Sequence, residues 1–259
     1  MHLTFLGTGT SFGVPVIGCE CANCMSDDPR DRRTRHGALV ALEGGNLLID
    51  TPPELRLQLL SAGIDRVDAV WYTHLHADHV HGIDDVRIFS TRGRGPVPAY
   101  VPDEMTRQMM ARFTYIFSDR VSVPRGTTKP RLDLRSYEEG ATVKVLGHDI
   151  TPFRVPHGPT SAFGFRVGRL GYVTDAKRLP GVAREILAGV DVLVLNALWW
   201  GSPHPTHFNI DEAIEAARGI GARRTFLTHL THKVGYRELA AALPSGIAPA
   251  YDGLSVEIA

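Results

Sequence analysis

Apolar and alternating runs of strand length recur from one end of the chain to the other, and amphipathic stretches of helical period separate them. On that pattern strands are predicted near 2–6, 38–42, 46–50, 67–72, 97–101, 142–145, 149–155, 162–167, 170–174, 191–196, 223–228 and 254–258. Helices are predicted near 53–61, 79–89, 103–117, 180–188, 209–218 and 236–243. Strands and helices mixed in this way predict an α/β fold with a large core. No Ser/Gly linker or charge run breaks the pattern, so 1–259 reads as a single domain. The segment 102–139 is the main unplaced piece. In it Met105, Met109, Met110, Phe113 and Phe117 recur at helical spacing and predict a packed lid or a dimer surface, making a homodimer one expectation. Arg125, Lys129 and Arg131 follow in a Pro-containing loop, either solvated or within reach of a substrate anion.

Candidate chemistry gathers where strands end. His74-Leu75-His76-Ala77-Asp78-His79 follows the apolar run 67–73 and places three imidazoles and a carboxylate in six residues. Borderline metals such as Zn²⁺ take imidazole nitrogen and carboxylate oxygen together, so this density points to a dinuclear metal site rather than a polar turn. Three more ligand types close later strands: His157 after 148–156, Asp175 after 170–174 and His229 after 225–228. They supply what two ions lack after the first motif. Asp50 ends the strand at 46–49 and precedes Thr51-Pro52-Pro53, where it would cap the following helix.

All three cysteines lie in Cys19-Glu20-Cys21-Ala22-Asn23-Cys24, an odd number too close for a disulfide framework. Metal thiolates or a reduced, redox-active trio are the readings left. Lys and Arg number 28 against 28 Asp and Glu, so no global field gathers polyanions and a long nucleic acid is not favoured as a partner. The basic cluster Arg30-Asp31-Arg32-Arg33-Thr34-Arg35 reads as a solvated loop. Met1-His2-Leu3-Thr4-Phe5 leads straight into a strand and no apolar run reaches membrane-spanning length, so the expected location is the cytoplasm, without a membrane partner.

The HxHxDH motif at 74–79, with the later single His157, Asp175 and His229, resembles the metallo-β-lactamase superfamily over essentially the whole chain. The opening Leu6-Gly7-Thr8-Gly9-Thr10-Ser11-Phe12-Gly13-Val14-Pro15 resembles the phosphodiesterase branch, which holds the transfer RNA 3′-end endonucleases and the phosphoribosyl cyclic phosphodiesterases. Gly18-Cys19-Glu20-Cys21-Ala22-Asn23-Cys24 is most similar to the latter, the phosphoribosyl 1,2-cyclic phosphate phosphodiesterases of phosphonate breakdown. The resemblance implies a four-layered αβ/βα sandwich with His74, His76 and His157 on one ion, Asp78, His79 and His229 on the other, and Asp175 bridging. The ions would be Zn, Mn, Fe or Ni.

It further implies that Cys19, Cys21, Cys24 and His232 hold one structural Zn²⁺, and that Asp50 hydrogen-bonds the metal-binding loop. In both phosphodiester-cleaving groups a histidine at the place of His207 contacts the scissile phosphate. His207 is therefore the candidate to protonate the leaving oxygen, with His204 competing from three residues earlier. The implied activity is hydrolysis of a small cyclic phosphodiester, of the phosphoribosyl 1,2-cyclic phosphate or 2′,3′-cyclic nucleotide type, by a metal-bridging hydroxide, with Asp78 and Asp175 as ligands able to take the released proton. A transfer RNA substrate is disfavoured because no long Gly/Pro/Lys-rich arm is present. Asn196 and the following Ala197-Leu198-Trp199-Trp200 depart from the phosphonate-pathway pattern and would reshape the pocket. Two other classes remain: a thioester or lactone hydrolase on the same scaffold, and a non-catalytic carrier resembling quinone-cofactor accessory proteins.

Overall fold

The computed structural model describes every residue except 119, and at 93 and 94 the backbone alone. Two seven-stranded sheets face each other. The first runs β14-β1-β2-β3-β4-β5-β6, built from β1 His2–Gly7, β2 Gly37–Leu42, β3 Gly45–Ile49, β4 Ala69–Trp71, β5 Val97–Pro102, β6 Leu132–Tyr137 and β14 Ser255–Glu257. The second runs β13-β12-β11-β10-β9-β8-β7, from β7 Val143–Val145, β8 His148–His157, β9 Thr160–Val167, β10 Leu170–Tyr172, β11 Val192–Asn196, β12 Arg224–Thr228 and β13 Ile247–Pro249. Each sheet begins as antiparallel neighbours and continues as parallel ones, in β3 to β6 and in β10 to β13.

The alternation read from the sequence explains the layers. Inward residues of both sheets, among them Phe5, Ile49 and Trp71 from one and Phe165, Tyr172 and Val194 from the other, form a single core between them. Trp71 stacks on Tyr137 at 4.2 Å between ring centres. Outward residues of the first sheet pack under helices α1 Leu55–Ser61, α2 Ala77–Val80, α3 Arg87–Phe89, α4 Asp103–Arg112 and α5 Thr114–Phe117. Those of the second pack under α6 Gly181–Leu187, α7 Ile210–Ile220 and α8 Tyr236–Ala242. The result is the predicted αβ/βα sandwich. Among the described residues no helix is long and apolar enough to cross a membrane.

Four expectations change. Strands β6 and β13 were not predicted: β6 is an edge strand with Asp133 and Arg135 facing out, and β13 is three residues ending in a proline, which edges tolerate. Met109 and Phe113 are buried in the core under the first sheet, so this side of α4 packs on its own domain, while Met110 is exposed. The basic cluster is not a solvated loop. Arg33 is 1% exposed, its guanidinium donating to the carbonyls of Thr231 and Val234 and to Asp31, while Arg30 pairs with Asp28 and Arg35 with Glu54. Lys129 and Arg131 line a cavity with Ser90 and Val123 that contains none of the motif histidines.

Candidate metal centre

Parallel strands deliver their carboxyl ends to one edge of the sandwich, where α/β folds gather ligands. Asp50 follows β3, His74 follows β4, Asp175 follows β10 and His229 follows β12, while His157 is the last residue of β8. Asp78 and His79 sit in α2, which starts immediately beyond the β4 loop. Asp50, Asp175 and His229 have φ of 60°, 54° and 59°, in the left-handed region. Residues other than glycine rarely adopt it, at a cost of about 1–3 kcal/mol each, and such residues concentrate at functional sites.

Two donor sets result. In the first, His74 Nε2 lies 3.0 Å and His157 Nε2 3.1 Å from His76 Nδ1. The opposite nitrogens are already committed: His74 Nδ1 is 3.1 Å from Thr73 Oγ1, and His157 Nδ1–H donates to the Thr206 carbonyl at 3.1 Å. With those protons in place, the inward nitrogens of His74 and His157 present lone pairs, not N–H groups, to His76. A tetrahedral ion with Zn–N bonds of 2.0–2.1 Å would set its nitrogens about 3.3 Å apart, so the spacing fits a cation.

In the second set His79 Nε2 lies 3.5 Å from Asp78 Oδ2, and His229 Nε2 lies 3.8 Å from the same oxygen. Among the described residues neither imidazole nitrogen, though buried, has a hydrogen-bond partner. Asp175 faces both sets with different oxygens. Its Oδ2 is 3.6 Å from His74 and 3.5 Å from His157, and its Oδ1 is 3.5 Å from His79 and 3.3 Å from His229.

The field at this edge calls for positive charge. Burial opposes a proton on His79, yet Asp175, Asp78 and Asp50 outweigh it and raise its pKa to about 10. Burial likewise pushes Asp78 and Asp175 up, and the surrounding imidazoles hold both below the ordinary carboxylate range. His74 and His157, where burial dominates, are held below the usual histidine value and are neutral, the form that ligates. The donor types, their spacing and this field fit divalent cations.

Asp50 orients the second set. Its carboxylate accepts from the Thr73 amide and hydroxyl, both at 2.8 Å, and from His79 Nδ1–H at 2.7 Å, which turns Nε2 of His79 inward. It caps no helix: the first turn of α1 follows Glu54 and has no side-chain cap. Replacing Asp50 by asparagine keeps a residue that tolerates positive φ but removes the charge. Metal affinity is expected to fall about 10- to 100-fold, measured by competition with a chromophoric chelator.

His207 precedes the Asn209 cap of α7 and reaches in beside these sets, with Nε2 3.2 Å from Asp175 Oδ2 and Nδ1 2.7 Å from Thr206 Oγ1. His204 does not reach them; its Nδ1 is 3.1 Å from the same Thr206 hydroxyl. His81 points to the exposed side of the loop, and Asp84 accepts from Tyr115. Asn196 is buried and accepts from the Ala176 amide, so it shapes the turn after Asp175. Trp199 lines a cavity beside His207 and His229, whereas Trp200 faces a different one.

Away from this edge, Cys19, Cys21 and Cys24 place their Sγ atoms 3.3, 3.4 and 3.7 Å from His232 Nδ1. Hydrogen bonding from the Cys24 backbone, helped by His232, lowers the Cys21 thiol to about 6, and burial raises Cys24 to about 11. Three sulfurs and one nitrogen within bonding reach of one point suit a closed tetrahedral Zn²⁺ site.

Sequence reasoning overlooked His36, Thr73 and Thr206. His36 is fully buried beneath the centre, 2.7 Å from the Tyr172 hydroxyl, with its ring 5.6 Å from that of His79 and 5.9 Å from that of His229. A lone histidine within Arg35-His36-Gly37 carries no sequence signal of that position.

Residues 45–230 match the family described as beta-lactamase superfamily domain. A solved structure described as a new diphosphatase from the PhnP family superposes with a TM-score of 0.90 at 39% identity, over 100% of this chain and 98% of that one. The chain belongs to the PhnP family of that superfamily. Two curated relatives are also similar. An octanoyltransferase of Porphyromonas gingivalis is 35% identical over 100% of this chain and 52% of its own length. A ribonuclease Z of an Exiguobacterium species is 28% identical over 71% of this chain and 52% of its own. The PhnP-family chain thus spans about half the length of both.

Proposed function

We propose that the protein is a divalent-metal-dependent phosphodiesterase that opens a small cyclic phosphodiester, of the phosphoribosyl 1,2-cyclic phosphate or 2′,3′-cyclic nucleotide type. The observation that carries this reading is His207, set 3.2 Å from the carboxylate that faces both donor sets. A thioester expels a thiolate, which leaves without a proton, whereas a phosphodiester of an alcohol has an alkoxide to expel. In this reading His74, His76 and His157 hold one ion, Asp78, His79 and His229 the other, and Asp175 contacts both. When bound, two such ions would neutralise the phosphate and lower the pKa of water from 15.7 to about 7.

The chain's own residues do the rest. Thr206 supplies its carbonyl to His157 and its hydroxyl to His207, so one residue fixes two imidazoles. Burial lowers the His207 pKa against the pull of Asp175, and the ring would donate to a leaving oxygen as imidazolium, the form that nearby negative charge favours. The Thr206 hydroxyl, 2.7 Å from Nδ1, fixes the ring with Nε2 toward Asp175. Asp78 and Asp175, held as carboxylates, are the bases within reach of the proton that water loses. Cys19, Cys21, Cys24 and His232 hold a structural Zn²⁺ that pins the loop at 18–24 to the turn after His229.

A second reading is a hydrolase of thioesters on the same scaffold; the Porphyromonas gingivalis relative is named for an acyl substrate, and this chain matches 52% of its length. One panel separates them: Mn²⁺- or Zn²⁺-loaded protein with ribosyl 1,2-cyclic phosphate, 2′,3′-cyclic nucleotides and octanoyl thioesters, followed by phosphorus NMR and thiol release. Phosphomonoester production supports the phosphodiesterase. Thiol release alone would replace it with the acyl reading.

A further inference from the structure

His74, His79 and His157 are each aimed by a partner on the nitrogen turned away from the donor sets: Thr73, Asp50 and Thr206. His229 is not. Its Nδ1 is buried and, among the described residues, meets no hydrogen-bond partner, although a ligating imidazole ordinarily commits its second nitrogen to one. It also stands on left-handed backbone, φ 59°, where a histidine persists only if the surrounding structure holds it. Two ties across the sheets bracket it. After it, the Leu230 amide donates at 2.9 Å to the carbonyl of Thr8, which follows β1. Before it, Thr228 Oγ1 lies 3.3 Å from Nδ1 of His36, the residue that precedes β2.

His36 reaches further into the second sheet. Its Nε2 is 2.7 Å from the hydroxyl of Tyr172, at the end of β10 and three residues before Asp175. The imidazole is fully buried, and burial holds it neutral, with one nitrogen that donates and one that accepts. Both partners are hydroxyls, which take either part, so both ring nitrogens are satisfied whichever carries the proton. The ring lies under the two halves of the second donor set, 5.6 Å from the ring of His79 and 5.9 Å from that of His229. No step of the phosphodiesterase chemistry uses it.

Resting on the two-ion reading of the donor sets, we propose that His36 is a positioning residue: it latches β10 and β12 to β2 and so holds His229 opposite Asp78 and His79, the support that no side chain gives the His229 ring directly. The first set has ties of its own. The Phe163 amide donates to the Thr73 carbonyl at 3.0 Å, joining the sheets beside His74, and Thr206 holds His157. Loss of the latch therefore falls on one ion and spares the other.

His36→Phe keeps a ring at this position and removes both hydrogen bonds, and Thr228→Val removes one of them at nearly constant volume. In each variant the affinity for one of the two ions should fall about 10- to 100-fold, the range for a lost outer partner of a metal ligand, while the other stays within about threefold. His36→Gln, whose amide still bonds a hydroxyl, should recover most of the loss. With Zn²⁺ in the cysteine site, chelator competition against Co²⁺ reads the two affinities. Visible Co²⁺ absorption reads the geometry of the weakened site, and melting of the metal-free protein reads stability apart from the metal. His36→Phe binding both ions as the parent does, with unaltered absorption, overturns the latch. So does an equal loss at both ions that follows the metal-free melting temperature, since that is damage to the core alone. If His36→Phe does not fold, Thr228→Val decides by the same two criteria. If the parent takes up no pair of ions, the two-ion reading falls, and histidine-ring NMR of the metal-free protein decides the latch separately. Contacts between the His79 and His229 rings, stacked 6.1 Å apart, that are present in the parent and lost in Thr228→Val uphold it; contacts kept in both overturn it.

Discussion

Asp175→Asn is expected to lower kcat/KM on a phosphodiester by about 10³-fold or more and to reduce bound metal at both donor sets. Oδ1 of Asp175 faces His79 and His229 while Oδ2 faces His74 and His157, so one carboxylate completes two sites. An asparagine presents one carbonyl oxygen and turns an NH₂ group toward the other set, where inward imidazole lone pairs or a cation would meet it. Several kcal/mol of transition-state charge stabilisation depend on the ions, at 1.4 kcal/mol per decade of rate, which sets the magnitude. Asparagine is the informative replacement because the backbone at this position has φ 54°, and Asn is among the few residues that tolerate that region. Loss of function then reports the charge rather than a broken turn. Metal content after dialysis, read by elemental mass spectrometry beside turnover, checks it. A variant that keeps its metal and stays within tenfold of the parent would remove Asp175 from between the sets.

Four of these residues could be found in the sequence because the fold needs them adjacent: one loop after one strand carries His74, His76, Asp78 and His79, and no tertiary knowledge is required to see four donors in six positions. His157, Asp175 and His229 were legible at one remove, as donors at strand ends: parallel strands bring Asp175 and His229 to one edge, and the antiparallel β8 ends there with His157. What the pattern could not carry is the support around them. Thr206 meets His157 across 49 residues and His36 meets Tyr172 across 136, contacts that exist only once both sheets are packed. Nor does local propensity announce that Asp50, Asp175 and His229 adopt left-handed backbone, since tertiary hydrogen bonds impose it.

Charge misled for the same reason. The cluster at 30–35 reads as solvated, but Arg33 is drawn inside by the carbonyls of Thr231 and Val234, on the turn that also carries His229 and His232. That burial ties the cysteine loop and the C-terminal donors into one unit. Strand β6 was missed because an edge strand with outward charges, Asp133 and Arg135, lacks the apolar run that identifies buried strands.

His207→Ala is expected to lower kcat on the same substrate by about 10²- to 10⁴-fold, the range for a positioned proton donor, while leaving the metal content of the protein intact. The two parts of that expectation separate two roles the geometry allows. Asp175, His207 and His229 bring one ligand atom each within 4.8 Å of one another, so His207 is also placed where a ligand would be. A ligand's removal would lower metal occupancy, and added metal would restore part of the rate. A proton donor's removal leaves occupancy unchanged, and the loss tracks the leaving group: esters of alcohols suffer most, and a p-nitrophenyl diester, whose phenolate departs without a proton, suffers least. Comparing bis(p-nitrophenyl) phosphate with a 2′,3′-cyclic nucleotide in the variant therefore identifies the role. An equal loss on both, with metal retained, would make His207 a phosphate-binding group rather than an acid; a loss of metal would make it a ligand.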